Sequence, residues 1–566
     1  MKNTFRIVFF LMLTTTSFGQ TNTNIFQYTE PETLWTKVLP IPLFMKKISI
    51  SLIAILAMIL IGCTDKKKSE EPVKTPNIVI IYADDMGYGD LAYQNPNSKI
   101  PTPNLDKLAA SAMRFTNAHS SSGICSPSRY ALLTGTYHWR RQHNIVNSFG
   151  EPFFKDSDVT LPDILKEKGY KTACIGKWHL GWKWDFINEP SGEYLKRGKP
   201  TKFYTAKDLD WDRPVSGGPL DRGFDYYFGD GTINFPPYAW VENDKFIQPP
   251  TDNLESNIYP GFKVKEGSWE FRPGPMVKNW NPYEVLPTIS KKTVQWIGEQ
   301  NSNTPFFLYF ALPSPHAPII PNDEFDGTSD AGPYGDFMVQ TDHVIGRVLE
   351  ALKQNGLEEN TIVIFSSDNG PEKYAFQRGE NYGHFSMGDF RGLKRDVWEG
   401  GHHVPMLIKW PNRIKGGSES NALVSQIDIM ATLAHIVDYD LLRHEAQDSH
   451  NLLPILKGEN IESPVRKEMV HNTYENKWGL RQGDWLYINS SSGEHSPMPE
   501  SFKKLRNYKD FKSEGLLFNM KNDPEQRINL FAEYPEIVKE LNSELNKLRT
   551  LHNDPLLKKD TTKPGL

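Results

Sequence analysis

Two pairs of oxygen-bearing side chains follow β-branched runs of the chain. Asp84 and Asp85 come directly after the run 77–83, and Asp368 and Asn369 come shortly after the run 361–365. In open α/β sheets, ligands gather at the carboxyl ends of the strands. Three carboxylates and one amide oxygen form a hard ligand set, which suits Ca²⁺ or Mg²⁺ rather than zinc. Either pair alone is more often a turn former or a helix cap, so a metal site is a hypothesis at this point.

The stretch 125–135 carries the most specific pattern in the sequence. A lone cysteine is usually an inert buried thiol. Here Cys125 opens an eleven-residue stretch that contains Arg129 and matches the pattern C-x-P-S-R-x-x-L-x-T-G. In this stretch the chain resembles the type I sulfatase family of the alkaline phosphatase superfamily. The resemblance implies that a maturation enzyme, the formylglycine-generating enzyme, converts Cys125 to 3-oxoalanine (formylglycine).

The resemblance extends over nearly all of residues 76–550 and implies further site residues. The segments 176–181, 315–318 and 391–401 are similar to family segments that supply two histidines and two lysines. The residues implied for catalysis are Cys125, Arg129, Lys177, His179, His316 and Lys394. The residues implied for the metal are Asp84, Asp85, Cys125, Asp368 and Asn369, with Ca²⁺ expected and Mg²⁺ as the alternative.

These residue types fit the hydrolysis of a sulfate monoester. The substrate is an anion that repels nucleophiles, so a divalent cation with Lys177, Lys394 and Arg129 would neutralise its oxygens. The resemblance implies that one hydroxyl of the hydrated aldehyde attacks sulfur while His316 protonates the leaving alcohol. His179 would then take the proton of the second hydroxyl as sulfate leaves. Sequence alone does not fix which histidine is the acid and which the base.

The composition describes a globular protein with a sizeable core. The chain has 566 residues, of which 38% are hydrophobic and 12% aromatic, whereas disordered chains are poor in large apolar side chains. A net charge of -5 gives no global basic field, so we expect no nucleic-acid partner. Three cysteines exclude a disulfide framework.

The elements that must position the site alternate along the chain. Apolar runs predict strands at 77–83, 170–175, 306–312, 361–365 and 404–410, and helical spacing predicts helices at 103–111, 161–168 and 339–352. This alternation favours an α/β fold with a large, mixed but mainly parallel sheet flanked by helices. The resemblance implies an alkaline-phosphatase-like arrangement. Long loops with short elements are expected over 182–287.

We predict a catalytic domain at 76–455 and a smaller C-terminal subdomain at 456–566. In the subdomain, strands at 481–488 and 516–520 and an amphipathic helix at 534–552 indicate an antiparallel sheet with a helix.

Residues 1–62 read as a targeting region. Met45 opens a basic segment, an apolar run and Gly62-Cys63, which resembles a bacterial lipobox. A second signal-like stretch precedes it, so we expect Met45 to be the true start and 45–62 to be the lipoprotein signal. A transmembrane helix is the weaker alternative because the run is short. We therefore expect an exported bacterial lipoprotein in the periplasm or at the cell surface, anchored to the membrane through lipid on Cys63, with a flexible tether at 63–75.

The aromatic residues of the middle segment suggest a substrate class. Rings on loops beside an active site can stack on sugar faces. They are Trp182, Trp184, Trp211, Tyr226, Tyr227, Tyr238, Trp240, Trp269 and Trp280. We expect a sulfated polysaccharide or oligosaccharide substrate. The alternatives are a phosphodiesterase or phosphonate monoester hydrolase with the same chemistry, and a noncatalytic glycan-binding lipoprotein.

Overall fold

A ten-stranded sheet organises the structure, a computed structural model that describes residues 74–459, 462–474 and 476–550. The described strands are β1 (Asn77–Ala83), β2 (Met113–Phe115), β3 (Ala118–His119), β4 (Lys171–Lys177), β5 (Gly192–Lys196), β6 (Lys199–Phe203), β7 (Tyr226–Gly231), β8 (Val241–Glu242), β9 (Lys245–Phe246), β10 (Asp252–Leu254), β11 (Gly274–Met276), β12 (Phe306–Ala311), β13 (Thr361–Ser367), β14 (Met406–Lys409), β15 (Ser418–Ser420), β16 (Val424–Ser425), β17 (Glu468–Asn472), β18 (Trp478–Gln482), β19 (Trp485–Ile488) and β20 (Leu516–Asn519). The described α-helices are α1 (Pro103–Ser111), α2 (Cys125–Thr134), α3 (Leu161–Glu167), α4 (Val285–Gly298), α5 (Gly332–Gln354), α6 (Tyr374–Tyr382), α7 (Glu399–His402), α8 (Asp428–Ile436), α9 (Leu453–Leu456), α10 (Glu500–Arg506) and α11 (Pro535–Thr550).

The centre of the large sheet is parallel. Its strand order is β15-β2-β14-β13-β1-β12-β4-β7-β8-β9, and the strands from β13 to β7 all run in the same direction. Strands β14 and β8 join this block antiparallel on its two sides. A parallel sheet covered on both faces needs strands that are apolar throughout, and every residue of β1 is buried. The predicted α/β fold with a mixed, mainly parallel sheet is confirmed.

Helices cover both faces of this sheet. Alternate residues of β1 point to opposite faces, so Val79 and Ile81 belong to one hydrophobic core and Ile78 and Ile80 to another. The first core is completed by side chains of α1, α4 and α5. The second is completed by side chains of α2, α3 and α8. The sheet is therefore held rigidly from both sides, and its strand ends are fixed relative to one another.

The C-terminal sheet is smaller and antiparallel, in the order β17-β18-β19-β20. Leu541 and Leu545 of α11 pack in one hydrophobic cluster with Leu480 and Tyr487 of this sheet. The predicted antiparallel sheet with a helix is thus confirmed. The single strand expected at 481–488 is wrong, because the chain turns there between β18 and β19, at Gly483 with φ +55°.

Most predicted elements are present, with shifted ends. Helix 103–111 is reproduced, and β4 and β13 each run two residues further than expected. Helix α5 begins seven residues before the predicted 339 because its first turns contain Gly and Pro, which mask the helical pattern. The segment 182–284 consists of loops, short strands and 3-10 turns, as predicted, whereas 285–287 already belong to α4.

The N-terminal predictions lie outside the described residues. These are the targeting region, Met45, Cys63 and the tether up to residue 73. Within the described part of the chain, none of the helices is both long and apolar enough to cross a membrane.

Candidate active site

The predicted site residues meet at the carboxyl edge of the parallel block. Asp84 and Asp85 follow β1, and Asp368 follows β13, its direct neighbour in the sheet. Lys177 is the last residue of β4, two strands from β1 on the other side. Cys125 is the first residue of α2, whose residues are all buried.

Asp84 lies between two cations and the cysteine. One of its carboxylate oxygens contacts Lys177 Nζ. The other, Oδ1, lies 3.6 Å from Cys125 Sγ and 3.7 Å from Arg129 Nη2. Burial alone would raise the pKa of Asp84, but the charges around it, that of Lys177 above all, hold this pKa well below its ordinary value. Asp84 is therefore ionised and directly beside the thiol.

Asp85 forms the second charged pair. Its Oδ1 lies 2.7 Å from Lys394 Nζ, and it accepts a hydrogen bond of 2.7 Å from Asn369 Nδ2. His316 Nε2 lies 3.7 Å from its Oδ2. Burial opposes the charge of Lys394, yet the Asp85 carboxylate raises the pKa of this lysine well above its ordinary value. The backbone of Asp85 has φ +61°, a strained conformation that is typical of functional sites.

Asp368 is held by Arg129. The guanidinium donates from Nη2 at 2.8 Å and from Nε at 3.1 Å to the same Oδ2. Its Nη1 donates to the hydroxyl of Tyr309 at 3.3 Å and to the carbonyl of Lys177 at 3.4 Å. Burial and the charge of Asp84 raise the pKa of Asp368 to about 7 despite this pairing. Carboxylates crowded in this way are the arrangement that a bound divalent cation stabilises.

The donor set fits such a cation. Donor atoms of Asp84, Asp85, Cys125 and His316 lie within 4.8 Å of one another. The amide nitrogen of Asn369 donates to Asp85 and to the carbonyl of Gly370, while its Oδ1 is buried with no hydrogen-bond partner among the described residues. An unpaired buried oxygen is costly, and a metal bond would satisfy it. The structure therefore brings together the oxygen ligands predicted from the sequence. Among them, Asp368 accepts hydrogen bonds from Arg129 through Oδ2.

The two histidines each present one nitrogen without a hydrogen. His179 Nε2 donates to the carbonyl of Val146 at 2.9 Å, which leaves Nδ1 as a lone pair, buried and without a hydrogen-bond partner among the described residues. His316 Nδ1 contacts the carbonyl of Ala317, so Nε2 is the nitrogen that faces Asp85. Burial lowers the pKa of both rings, that of His179 well below its ordinary value, with Lys177 adding to the effect there. Both rings are consequently neutral near pH 7.

The unmodified cysteine is a poor nucleophile in this environment. Burial raises the pKa of the Cys125 thiol to about 12, although Lys177 and Lys394 oppose the shift. Only the thiolate is strongly nucleophilic. The thiol would stay protonated at neutral pH. Cys174, by contrast, is a buried apolar residue of β4, as expected.

Some residues of the site were missed at the sequence level. Glu372 pairs with Arg395 through two contacts of 2.7 Å, and its carboxylate also lies 3.8 Å from Lys394 Nζ. Their positions in the sequence could have indicated both residues, since Glu372 closely follows Asp368 and Asn369, and Arg395 is adjacent to Lys394. Tyr309, whose hydroxyl accepts a hydrogen bond from Arg129, could not be recognised because the sequence pattern does not distinguish it from the apolar residues of β12.

An open cleft adjoins the site on the side of His179. Its lining includes His179, Trp182, Trp184, Asp230 and Phe235. Of the nine aromatic rings singled out in the sequence, Trp182 and Trp184 line this cleft, and none of the nine is fully exposed. Both carboxylate oxygens of Asp230 are buried without a hydrogen-bond partner among the described residues, and burial raises its pKa to about 7. The cleft thus offers aromatic surface and an acidic group beside the proposed base.

Two family models match the chain. The model described as Sulfatase matches residues 76–439, and the model described as N-sulphoglucosamine sulphohydrolase, C-terminal, matches residues 388–551. The first covers more than half of the chain.

Curated relatives match over most of their length. The N-acetylgalactosamine-6-O-sulfatase of Bacteroides thetaiotaomicron is 31% identical over 532 residues, which cover 87% of this chain and 97% of that protein. The N-acetylgalactosamine-6-sulfatase of Homo sapiens is 30% identical over 83% of this chain and 84% of its own.

Among solved structures, one from Bacteroides thetaiotaomicron superimposes with a TM-score of 0.69 at 30% identity. It covers 84% of this chain and 100% of its own, and it is described as part of the metabolism of multiple glycosaminoglycans.

Proposed function

The chain belongs to the type I sulfatase family and is a sulfuric ester hydrolase, and we propose that its substrate is a sulfated glycan of the glycosaminoglycan type. Its fold is that of its alkaline-phosphatase-like relatives. The observation that carries the proposal is the position of Cys125, whose Sγ lies 3.6 Å from Asp84 in a buried set of matched cations and carboxylates. Such a set can hold a divalent cation and a sulfate group side by side.

The nucleophile in this proposal is formylglycine made from Cys125 by a maturation enzyme. Its hydrated aldehyde would supply two hydroxyls on one carbon, one to attack sulfur and one to allow release of sulfate. The protonated, buried thiol described above supports the need for such a conversion. Asp84, Asp85, Asp368 and Asn369 would hold the metal, for which Ca²⁺ is our first choice and Mg²⁺ the alternative. When bound, the cation would neutralise sulfate oxygens and lower the pKa of the attacking hydroxyl.

The chain's own residues have separate tasks in this reaction. Lys177 and Lys394 are buried cations that can turn from their carboxylates to the sulfate oxygens. His316 would protonate the leaving alcohol from Nε2, which carries no hydrogen in the neutral ring and must first take up a proton, a step that the adjacent Asp85 carboxylate favours. His179 would accept a proton at Nδ1, the nitrogen that its bond to Val146 leaves free.

For the sugar, we propose N-acetylgalactosamine 6-sulfate as the first substrate to test. The support comes from the two curated relatives, whose names specify this sulfate ester, and from their coverage of the chain. Trp182, Trp184 and Asp230 in the adjoining cleft are the residues that we expect to contact the sugar.

The test is sulfate release by the matured enzyme from a panel of sulfated sugars. The panel contains N-acetylgalactosamine 6-sulfate, the 4-sulfate, N-acetylglucosamine 6-sulfate, an aryl sulfate and an aryl phosphodiester. We expect the first compound to be turned over fastest and the phosphodiester slowest. Preference for the 4-sulfate would overturn the proposed sugar specificity, and preference for the phosphodiester would overturn the sulfatase assignment. Mass analysis of the peptide that contains Cys125 checks its conversion beforehand.

We also propose that the protein is an exported lipoprotein anchored through Cys63. The support is the sequence pattern before this residue. Labelling of expressing cells with a fatty acid should mark the wild-type protein and leave Cys63→Ala unmarked. Equal labelling of both would refute the anchor.

A further inference from the structure

A second cluster of metal-binding side chains shares no member with the site described above. His119 is the last residue of β3, His402 the last of α7, and His471 lies in β17 of the C-terminal sheet. Their exposed fractions are 0%, 2% and 1%. One ring nitrogen from each lies within 4.8 Å of the others. These three histidines are the histidine cluster.

The hydrogen-bond partners of His402 define which of its nitrogens carries hydrogen. Nε2 lies 3.2 Å from the carbonyl oxygen of Val397, and a carbonyl can only accept. Nε2 is therefore the protonated nitrogen of the neutral ring. Its Nδ1 is then a lone pair, and it points at His119.

The same reasoning applies to His119. Its Nε2 lies 2.9 Å from Asn117 Oδ1, and the amide orientation is fixed because Asn117 Nδ2 donates to the carbonyl of Asn421 at 3.3 Å. Nε2 of His119 must donate, so Nδ1 is again a lone pair. The two Nδ1 atoms are 3.1 Å apart. Two buried lone pairs at this separation repel each other unless a proton or a metal ion lies between them.

His471 supplies the second, independent observation. Neither of its ring nitrogens has a hydrogen-bond partner among the described residues. The ring is stacked on His402 with a centroid separation of 3.7 Å, so it would have to turn about its Cβ–Cγ bond to direct a nitrogen at an ion shared with His402. Buried polar groups in native structures are almost always paired, and leaving one unpaired is unfavourable.

We propose that His119, His402 and His471 bind a zinc ion that fastens the C-terminal sheet to the catalytic domain. Two nitrogens at about 2.0–2.1 Å from one tetrahedral zinc lie roughly 3.3 Å apart, close to the observed separation of the Nδ1 atoms. Three neutral imidazoles are borderline-soft ligands, which suit zinc and not calcium. Asn117 and Val397 accept the remaining ring hydrogens, as partners of metal-bound histidines normally do.

One carboxylate and one arginine lie near the cluster. Glu399 has its Oε1 3.7 Å from His119 Nε2 and 2.9 Å from His403 Nδ1, while its Oε2 is buried without a partner among the described residues. His403 Nε2 also faces a carbonyl, that of Thr116, at 3.0 Å. Arg481 of β18 adds a positive charge nearby. Glu399 is the carboxylate of this group, and its charge would offset part of the positive charge of a zinc ion.

The test is the zinc content of the full-length protein produced in zinc-supplemented medium and purified without chelator. We expect about one zinc per chain in the wild type, because structural zinc binds as the chain folds. His402→Ala and His471→Ala should reduce it to the background level. His384→Gln is the matched control, since His384 is equally buried but has Asp90 and the Lys99 amide as partners at 2.8 and 3.3 Å. This control should keep its zinc.

Anomalous diffraction above the zinc edge on wild-type crystals locates the ion and does not depend on the variants folding. A peak between the three rings supports the proposal. A peak only at Asp84 and Asp85, or wild-type zinc content equal to that of His471→Ala, overturns it. Sulfatase activity is a separate readout, so loss of the proposed reaction would leave this result unaffected.

Discussion

The active site and the histidine cluster are both buried, but they are built from opposite kinds of side chain. In the active site each cation has a carboxylate, whereas the histidine cluster consists of neutral rings whose lone pairs face each other. The charged side chains of the active site can give up their ion pairs with one another and bind a hard cation and an anion instead. The neutral rings of the histidine cluster can only bind a metal ion of borderline softness. The pairs of the active site are Lys177 with Asp84, Lys394 with Asp85, and Arg129 with Asp368.

This difference explains why one region suits catalysis and the other suits structure. Groups that already carry charge need little reorganisation when a sulfate ester enters, and this preorganisation is usually the largest catalytic term. Three neutral histidines offer no charge to a developing transition state. A buried zinc ion that joins distant segments of the chain adds stability instead.

Replacement of the cysteine should have the largest effect. Cys125→Ala removes the precursor of the nucleophile, and we expect sulfate release to fall by at least about 10⁴-fold. The fold should persist, because only one sulfur atom is lost from the start of α2. Zinc content should stay at the wild-type level, which would show that the histidine cluster does not depend on the active site. Turnover by the variant at the wild-type rate would exclude the proposed mechanism.

Removal of a sulfate-binding cation should have the next largest effect. Lys394→Ala leaves Asp85 without its lysine and removes one positive charge from the proposed sulfate position. We expect kcat/KM to fall by about 10²–10³-fold. Lys409→Ala is the matched control, because Lys409 pairs with the partly exposed Glu358 at 2.6 Å. Equal losses in both variants would mean that Lys394 has no special role.

Loss of the free amide oxygen should weaken metal binding at the active site alone. Asn369→Ala deletes the unpartnered Oδ1, and we expect the affinity for Ca²⁺ to fall about 10–100-fold. The rise in thermal midpoint with added Ca²⁺ measures this affinity without using activity. Asn546→Ala, on the exposed side of α11, should behave as the wild type. An unchanged Ca²⁺ response in Asn369→Ala would remove this residue from the ligand set.

The two regions also differ in how far the sequence predicts them. The acidic pairs stand at the ends of strongly apolar strands, and a parallel sheet brings such ends together. His119, His402 and His471 lie on three distant segments with no common spacing, so only the folded chain shows that they meet. Helix α2 was missed for a related reason. All its residues are buried, which leaves no polar face and hence no helical periodicity to detect.

The smallest predicted effect concerns a histidine that stays neutral without being a metal ligand. His138 is fully buried, and its Nε2 donates to Asn472 Oδ1 at 3.3 Å while its Nδ1 accepts from Ser121 at 3.3 Å. Asn472 is adjacent to His471. Burial, to which the neighbouring His143 adds, lowers the pKa of His138 to about 3. In the unfolded chain a histidine has a pKa of about 6.5.

Because the folded pKa is the lower one, the unfolded chain binds this proton first as the pH falls. The contribution of His138 to stability is therefore complete above about pH 6.5 and declines between about pH 6.5 and pH 3. Between about pH 7.5 and about pH 5.5 this decline amounts to about 1.4 kcal/mol. Urea unfolding of His138→Gln should show a correspondingly weaker pH dependence than the wild type, since glutamine can keep both hydrogen bonds without titrating. His343→Gln, on an exposed position of α5, should keep the wild-type slope. If His138→Gln also keeps that slope, then His138 binds its proton equally well in the folded and the unfolded chain, and burial does not keep this histidine neutral.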